Sequence, residues 1–185
     1  EDDSRYKVIL TRKVDKFLPL RERISRSQLL GADLFLSIHA DSIGKKSIRG
    51  ATIYTLSETA SDKEAAQLAE QENKSDIIAG MDLSDESKEV TDILIDLAQR
   101  ETMNQSAHFA GLLVPELTKV LKTHRRPHKF AGFAVLKAPD VPSVLLEMGY
   151  LSNTNDERLL KTQIFQRKLG KALRRGLDKY FFPIK

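Results

Sequence analysis

Two side chains stand where chemistry could be done. His39 closes the run Leu34-Phe35-Leu36-Ser37-Ile38, and Glu147 closes Ser143-Val144-Leu145-Leu146. Short apolar runs of this kind read as strands buried on both faces. Residues at strand ends lie at the carboxyl edge of a sheet, where open α/β sheets place their sites. An imidazole there can bind a metal or carry a proton. A carboxylate directly after Val144-Leu145-Leu146 is costly to bury unless it is paired or bound to a metal. Such a glutamate could take a proton from a water held by zinc and pass it to a leaving amine. The pair therefore suggests a metal-hydrolase site. Catalytic zinc usually has three protein ligands and one open position, and the residues by themselves supply one convincing ligand, His39.

The other histidines are His108, His124 and His128. His124 and His128 are four apart, but Pro127 between them disfavours helical geometry in the residue before it. Both therefore read as basic loop residues rather than ligands. His108 falls on a helical stretch, at the surface or partly buried. An acidic helix holds a further candidate. At 100° per residue, Ala65, Leu68, Ala69, Glu72, Asp76 and Ala79 share one stripe. Glu72 sits near its centre, so it must find either a basic partner or a metal in the body on which the helix docks.

The elements that must position these residues follow an α/β rhythm. Strands are expected at Tyr6–Thr11, Leu34–His39, Gly50–Leu56, Gly132–Leu136 and Ser143–Glu147. Helices are expected from Leu20 to Leu30, opened by Pro19 and stopped by Gly31, and from Ala60 to Ile78, capped by Ser61 or Asp62 and ended by Gly80. A polar loop (Asp82–Ser87) leads to a long helical stretch from Glu89 to about Lys122, with a possible break at Met103-Asn104. Lys122–Lys129 reads as a basic, proline-containing loop, and Gly149–Asn153 as another loop. An amphipathic helix from about Thr162 to Tyr180 ends the chain. The fold class is α/β, a mostly parallel twisted sheet flanked by helices with right-handed crossovers.

Bulk properties narrow the partners. The 185 residues suffice for one domain with a real core. Cysteine is absent, which excludes disulfides, thiolate zinc and cysteine nucleophiles. No apolar run is long enough to span a membrane. Residues 1–56 carry 11 basic and 7 acidic side chains, 57–101 carry 4 and 13, and 102–185 carry 15 and 6. An acidic block thus interrupts a basic body that would suit an anionic polymer. The block would repel that polymer, cover the basic surface, or simply be a solvated face.

The motifs resemble a known family. Arg5–Arg12, Leu20-Arg21-Glu22-Arg23, Gly31–Asp41, Gly132–Leu136 and Pro142–Asn153 are similar, in order, to segments of the zinc-dependent N-acetylmuramoyl-L-alanine amidases of the Amidase_3 type. The most specific are Ser37-Ile38-His39-Ala40-Asp41 and Glu147-Met148-Gly149-Tyr150-Leu151-Ser152-Asn153. The resemblance implies a peptidoglycan hydrolase that cuts the amide between N-acetylmuramic acid and the first L-alanine of the stem peptide. It makes His39 a Zn2+ ligand and Glu147 the catalytic glutamate. Glu70–Asp76 is similar to the insert of the periplasmic cell-division amidases, in which a helix blocks the site and one of its glutamates binds zinc; the match falls on Glu72. Residues 57–123 are then an inserted acidic helical regulatory segment within a single catalytic domain, 1–185. An activator with a degenerate LytM domain would displace the helix. The family's first zinc histidine and its zinc glutamate would precede Tyr6, so the chain is expected to begin after them. A monomer in the periplasm is implied.

Two other readings stay open. The chain could be a non-catalytic cell-wall binding module that holds anionic glycan on its basic body. A zinc carboxypeptidase is the nearest enzymatic rival, separated by its product, a free C-terminal amino acid. Nucleic-acid binding is disfavoured, because no stacking aromatics are interleaved with the basic residues of 122–129 or 167–179.

Overall fold

The computed structural model describes residues 5–78 and 93–183. Its elements are α1 (Leu20–Leu29), β1 (Phe35–His39), β2 (Ala51–Leu56), α2 (Lys63–Asn73), α3 (Ser75–Ile78), α4 (Ile93–Thr118), β3 (Thr123–Ala131), a 3-10 turn (Ala134–Leu136), β4 (Ser143–Glu147), α5 (Thr154–Leu160) and α6 (Gln163–Phe181). The strands form one sheet in the order β1-β4-β2-β3. β1 runs parallel to β4 and β2 parallel to β3, while β2 and β4 are antiparallel. The expected α/β class and mostly parallel sheet are present, with a single antiparallel seam at the centre.

Side chains alternate across the sheet with the period of two that extended backbone imposes. Phe35, Tyr54, Ala131 and Leu145 point to one face, where α2 adds Ala65, Leu68 and Ala69 and the 3-10 turn adds Val135 and Leu136. Ile53, Val144 and Leu146 point to the other face, against Phe109, Leu113 and Leu117 of α4 and Phe165 and Leu169 of α6. α4 and α6 are also joined by the buried Glu116, which accepts from Arg175 Nε at 2.6 Å and Lys179 Nζ at 2.8 Å. Gly176 lets the two helices approach, since a Cβ there would stand 2.7 Å from a methyl of Leu113.

Several expected elements differ. Tyr6–Thr11 is not a strand. β-branched composition suits a segment for pairing, but a strand needs a ladder partner, and no described strand supplies one. The segment is instead tied to α6 by the Tyr6 hydroxyl, which donates to Asp178 at 2.8 Å, and Val8 stays 80% exposed. The basic stretch read as a loop is largely β3, an edge strand that tolerates Pro127 because its outer side needs no ladder hydrogen bond. Its register jumps from Ala51–Thr123 to Ile53–His128, so residues 124–127 are accommodated as an irregularity. Gly132–Leu136 leaves the sheet and coils into the 3-10 turn. α4 runs unbroken through Met103-Asn104 and carries Pro115 within it. α5 was not expected; Asn153 caps it by accepting from the N–H groups of Asn155 and Asp156. Of the two proposed caps for α2, Asp62 is the one used, accepting from Ala65 N–H at 2.9 Å. Ala79, Gly80, the loop at 82–87 and the helix start at Glu89 lie outside the described residues.

Candidate metal-hydrolase site

Parallel pairing brings the two strand-end residues together. His39 is the register partner of Glu147, so both reach the same end of the sheet. Parity then selects the face. His39 follows Phe35 and Ser37, and Glu147 follows Leu145, so both turn toward the α2 layer. The segment after β4 is stitched to the one after β1: Met148 N–H donates to His39 O at 2.9 Å and Leu151 N–H to Asp41 O at 2.7 Å.

Glu147 is 0% exposed. Its Oε1 accepts from the Asp41 backbone N–H at 2.8 Å, while Oε2 is buried without a hydrogen-bond partner. Burial, reinforced by the Asp41 charge, pushes its carboxyl up to about 9 against the pull of the Asp41 amide and His39. The His39 ring is held from both sides. Nε2 lies 2.9 Å from Ser37 Oγ, and Nδ1 lies 3.1 Å from Glu72 Oε2 and 3.7 Å from Asp41 Oδ2. Burial alone would lower the imidazole pKa, but the Asp41 and Glu72 carboxylates outweigh it and raise it to about 9.

His39, Asp41 and Glu72 each offer one ligand atom, all within 4.8 Å of one another. Asp41 Oδ2 is buried with no hydrogen-bond partner. An orphaned carboxylate oxygen, a second carboxylate and an imidazole nitrogen whose opposite nitrogen is engaged by a hydroxyl form a donor set that fits a zinc ion.

α2 brings Glu72 to this point and is tied down along its length. At its start, Asp62 and Glu64 meet Lys129 Nζ at 3.3 and 2.9 Å. At its end, Asn73 Nδ2 donates to Gly132 O at 2.8 Å and Asn73 Oδ1 accepts from Ala134 N–H at 2.7 Å. This two-handed clasp turns the chain out of the sheet after β3. Asp76 in α3 accepts from Leu20 N–H at 3.0 and 3.2 Å. It thereby serves as the side-chain cap that Pro19 does not give α1.

The structure brings together His39, Glu72 and Glu147, the three residues singled out in the sequence, and adds Asp41. Asp41 is two residues beyond His39 on extended chain, and that parity was the signal available for it. The remaining histidines lie elsewhere. His108 is exposed on α4 with its ring 6.0 Å from Tyr180. His124 is half-buried on β3, a strand rather than the expected loop. His128 is on β3 too, 2.9 Å from Thr55 Oγ1 across the sheet's other face, and burial lowers its pKa.

The model of the Amidase_3 family, N-acetylmuramoyl-L-alanine amidase, matches residues 1–179. The chain belongs to the Amidase_3 family. Among curated Amidase_3 relatives, the N-acetylmuramoyl-L-alanine amidase AmiA of Escherichia coli K12 is 39% identical over 173 residues, 93% of this chain and 60% of AmiA. AmiC of Escherichia coli O6:H1 is 38% identical over 182 residues, 98% of this chain and 43% of AmiC. The chain thus spans about half the length of these relatives. Among solved structures, the CwlD amidase of Clostridioides difficile, in complex with the GerS lipoprotein, superposes with a TM-score of 0.63 at 23% identity, over 94% of this chain and 74% of that one. That likeness supports the Amidase_3 fold.

Proposed function

We propose that this chain is a zinc-dependent N-acetylmuramoyl-L-alanine amidase domain acting on peptidoglycan, with residues 57–123 as its inserted regulatory segment. The observation that carries the reading is Glu147: a fully buried carboxyl with one free oxygen, opposite His39 at the sheet's edge. Membership of the Amidase_3 family supports the choice of bond, the amide between N-acetylmuramic acid and L-alanine.

His39, with Asp41 and Glu72 beside it, would hold the zinc. When bound, zinc supplies Lewis-acid polarisation of the amide carbonyl. Glu147 supplies the proton traffic. In its ionised form it takes a proton from the attacking water as the new C–O bond forms, then delivers it to the alanine nitrogen as the C–N bond breaks. Products are a muramic lactyl carboxylic acid and a peptide with a free L-alanine amine. Asp41 N–H fixes Glu147 Oε1, which leaves Oε2 as the transferring oxygen.

Glu72 at His39 Nδ1 supports a self-inhibited state. α2 covers the ligand face that a substrate needs, and an activator carrying a degenerate LytM domain would lift it. Work on the cell wall during division places such an enzyme in the periplasm. Among the described residues no helix is long and apolar enough to cross a membrane.

Mass spectrometry of muropeptides treated with the zinc-loaded protein tests this. The expected products carry a new lactyl carboxyl and a new N-terminal L-alanine. Glu147→Gln is expected to lower kcat about 10²–10⁴-fold with zinc content unchanged. A released C-terminal amino acid, or full activity in Glu147→Gln, contradicts the assignment. Retention on sacculi with no peptide released favours the cell-wall binding module instead.

A further inference from the structure

Lys129 is a fully buried lysine, 1% exposed, on the edge strand β3. It is the register partner of Tyr54 and shares the sheet face that α2 covers. Its ammonium meets Glu64 at 2.9 Å and Asp62 at 3.3 Å, both at the start of α2. Glu72, near the other end of the same helix, meets His39. α2 therefore lies across the sheet with a carboxylate on a cation at one end and a carboxylate on the candidate metal ligand at the other.

Ideal helix and sheet geometry sets the separation of the two ends. Eight helical residues from Glu64 to Glu72 span about 12 Å at 1.5 Å each. Three strand spacings separate β3 from β1, about 14 Å. The intervening floor is polar as well as aromatic: the Tyr54 and Tyr150 hydroxyls are 3.3 Å apart. Burial first, and with it the charges of Glu64 and Glu147, raises both phenols, so the Lys129 corner and Glu147 share one neighbourhood. A cleft of about 550 Å³ runs along the helix between it and the 43–48 loop, lined by Lys45, Ile48, Glu64, Leu68 and Gln71 among others.

We propose that Lys129 is a substrate-binding residue, whose ammonium takes a carboxylate of the peptide once α2 has left, in the place that Glu64 and Asp62 fill in the closed state. This rests on the self-inhibited amidase reading above. Both partners of Lys129 belong to the segment that leaves, and the freed ammonium is then available to a replacement anion. An extended peptide covers 3.3–3.6 Å per residue, so a span of about 12 Å selects a carboxylate three to four residues beyond the scissile amide. The helix then imitates substrate at both ends, at Lys129 as well as at His39.

The test uses the zinc-loaded Glu72→Ala protein and a muramoyl peptide whose distal carboxylates are either free or amidated. Adding Lys129→Met is expected to raise KM for the free-acid peptide about tenfold, the scale of one charge-assisted pair, with kcat within about twofold. The amidated peptide is expected to show that higher KM with or without Lys129, and Lys129→Arg to restore the lower one. A KM unchanged by Lys129→Met, with only thermal stability lost, overturns the proposal and leaves a structural ion pair. Calorimetric binding of the free-acid stem peptide separates the two readings. Lys129-dependent binding in a Glu72→Ala protein that cleaves nothing keeps the subsite and removes the amidase reading. Cleavage with Lys129-independent binding does the reverse. Should Lys129→Met fail to fold, Asp62→Asn with Glu64→Gln frees the ammonium from its internal rivals. That variant must bind the free-acid peptide more tightly than its parent, and equal affinity overturns the proposal.

Discussion

At the scale of residues, the proposed site is a buried carboxyl beside a His, Asp and Glu cluster, and its proton affinity has a consequence for the fold. Glu147 and His39 both have pKa values raised to about 9, Glu147 by burial and the Asp41 charge, His39 by the Asp41 and Glu72 carboxylates that overcome its burial. A raised pKa means that the folded state binds protons which the unfolded chain has already released. For Glu147 that window runs from the ordinary carboxylate value to about 9, and for His39 from 6.5 to about 9. Stability from both groups is therefore complete at low pH and lost as pH rises through about 9, by about 1.4 kcal/mol per pH unit for each proton involved. The thermal midpoint of metal-free protein, followed from pH 5 to 9 in chelator, is expected to fall, and to fall less in Glu147→Gln. A midpoint that is level or rises over that range contradicts it. His39 and Glu147 were legible in the sequence because each follows an apolar run too short to be anything but a buried strand. Glu72 was legible because it interrupts an apolar helical stripe. Asp41 left only the signal of its parity with His39, and Lys129 left none, because its role depends on which strands neighbour each other and on which face a docked helix covers.

At the scale of elements, α2 is held by contacts that have no part in ligating metal. The Asn73 clasp on Gly132 and Ala134, at the end of α2, and the Asp76 cap on α1, in the adjoining α3, are side chain-to-backbone bonds. Each is worth about 1 kcal/mol or more when partly buried, and about 1.4 kcal/mol is tenfold in a population. Asn73→Ala and Asp76→Asn are each expected to raise basal hydrolysis several-fold without activator, and to speed amide exchange in α2 while leaving α6 unchanged. Faster exchange throughout the molecule, with no gain in activity, assigns these contacts to global stability instead. The same clasp explains why Gly132–Leu136 could not be read correctly from its β-like composition: the backbone atoms at 132 and 134 that would extend a ladder are taken by a side chain 59–61 residues away. β3 was missed for the converse reason. Its charges and Pro127 look like a loop, and only an edge position with an irregular register makes them compatible with a strand.

At the scale of the whole molecule, the charge pattern and the fold say the same thing. The acidic stretch that interrupts the basic body contributes the helix that lies over the site, and two of its acids neutralise a lysine of the sheet. The layered α/β class and the sheet's mostly parallel sense were readable from the rhythm of elements, whereas the antiparallel seam between β2 and β4 depends on a connection that passes through the long α4. Closure by α2 shows in one rate. Stem-peptide release from purified sacculi is measured at saturating zinc, without activator, for the wild type and Glu72→Ala. A rise of at least about tenfold in Glu72→Ala, the scale of losing one charge-assisted contact, is the expected result. Equal or slower release in the variant contradicts a helix that holds the enzyme shut.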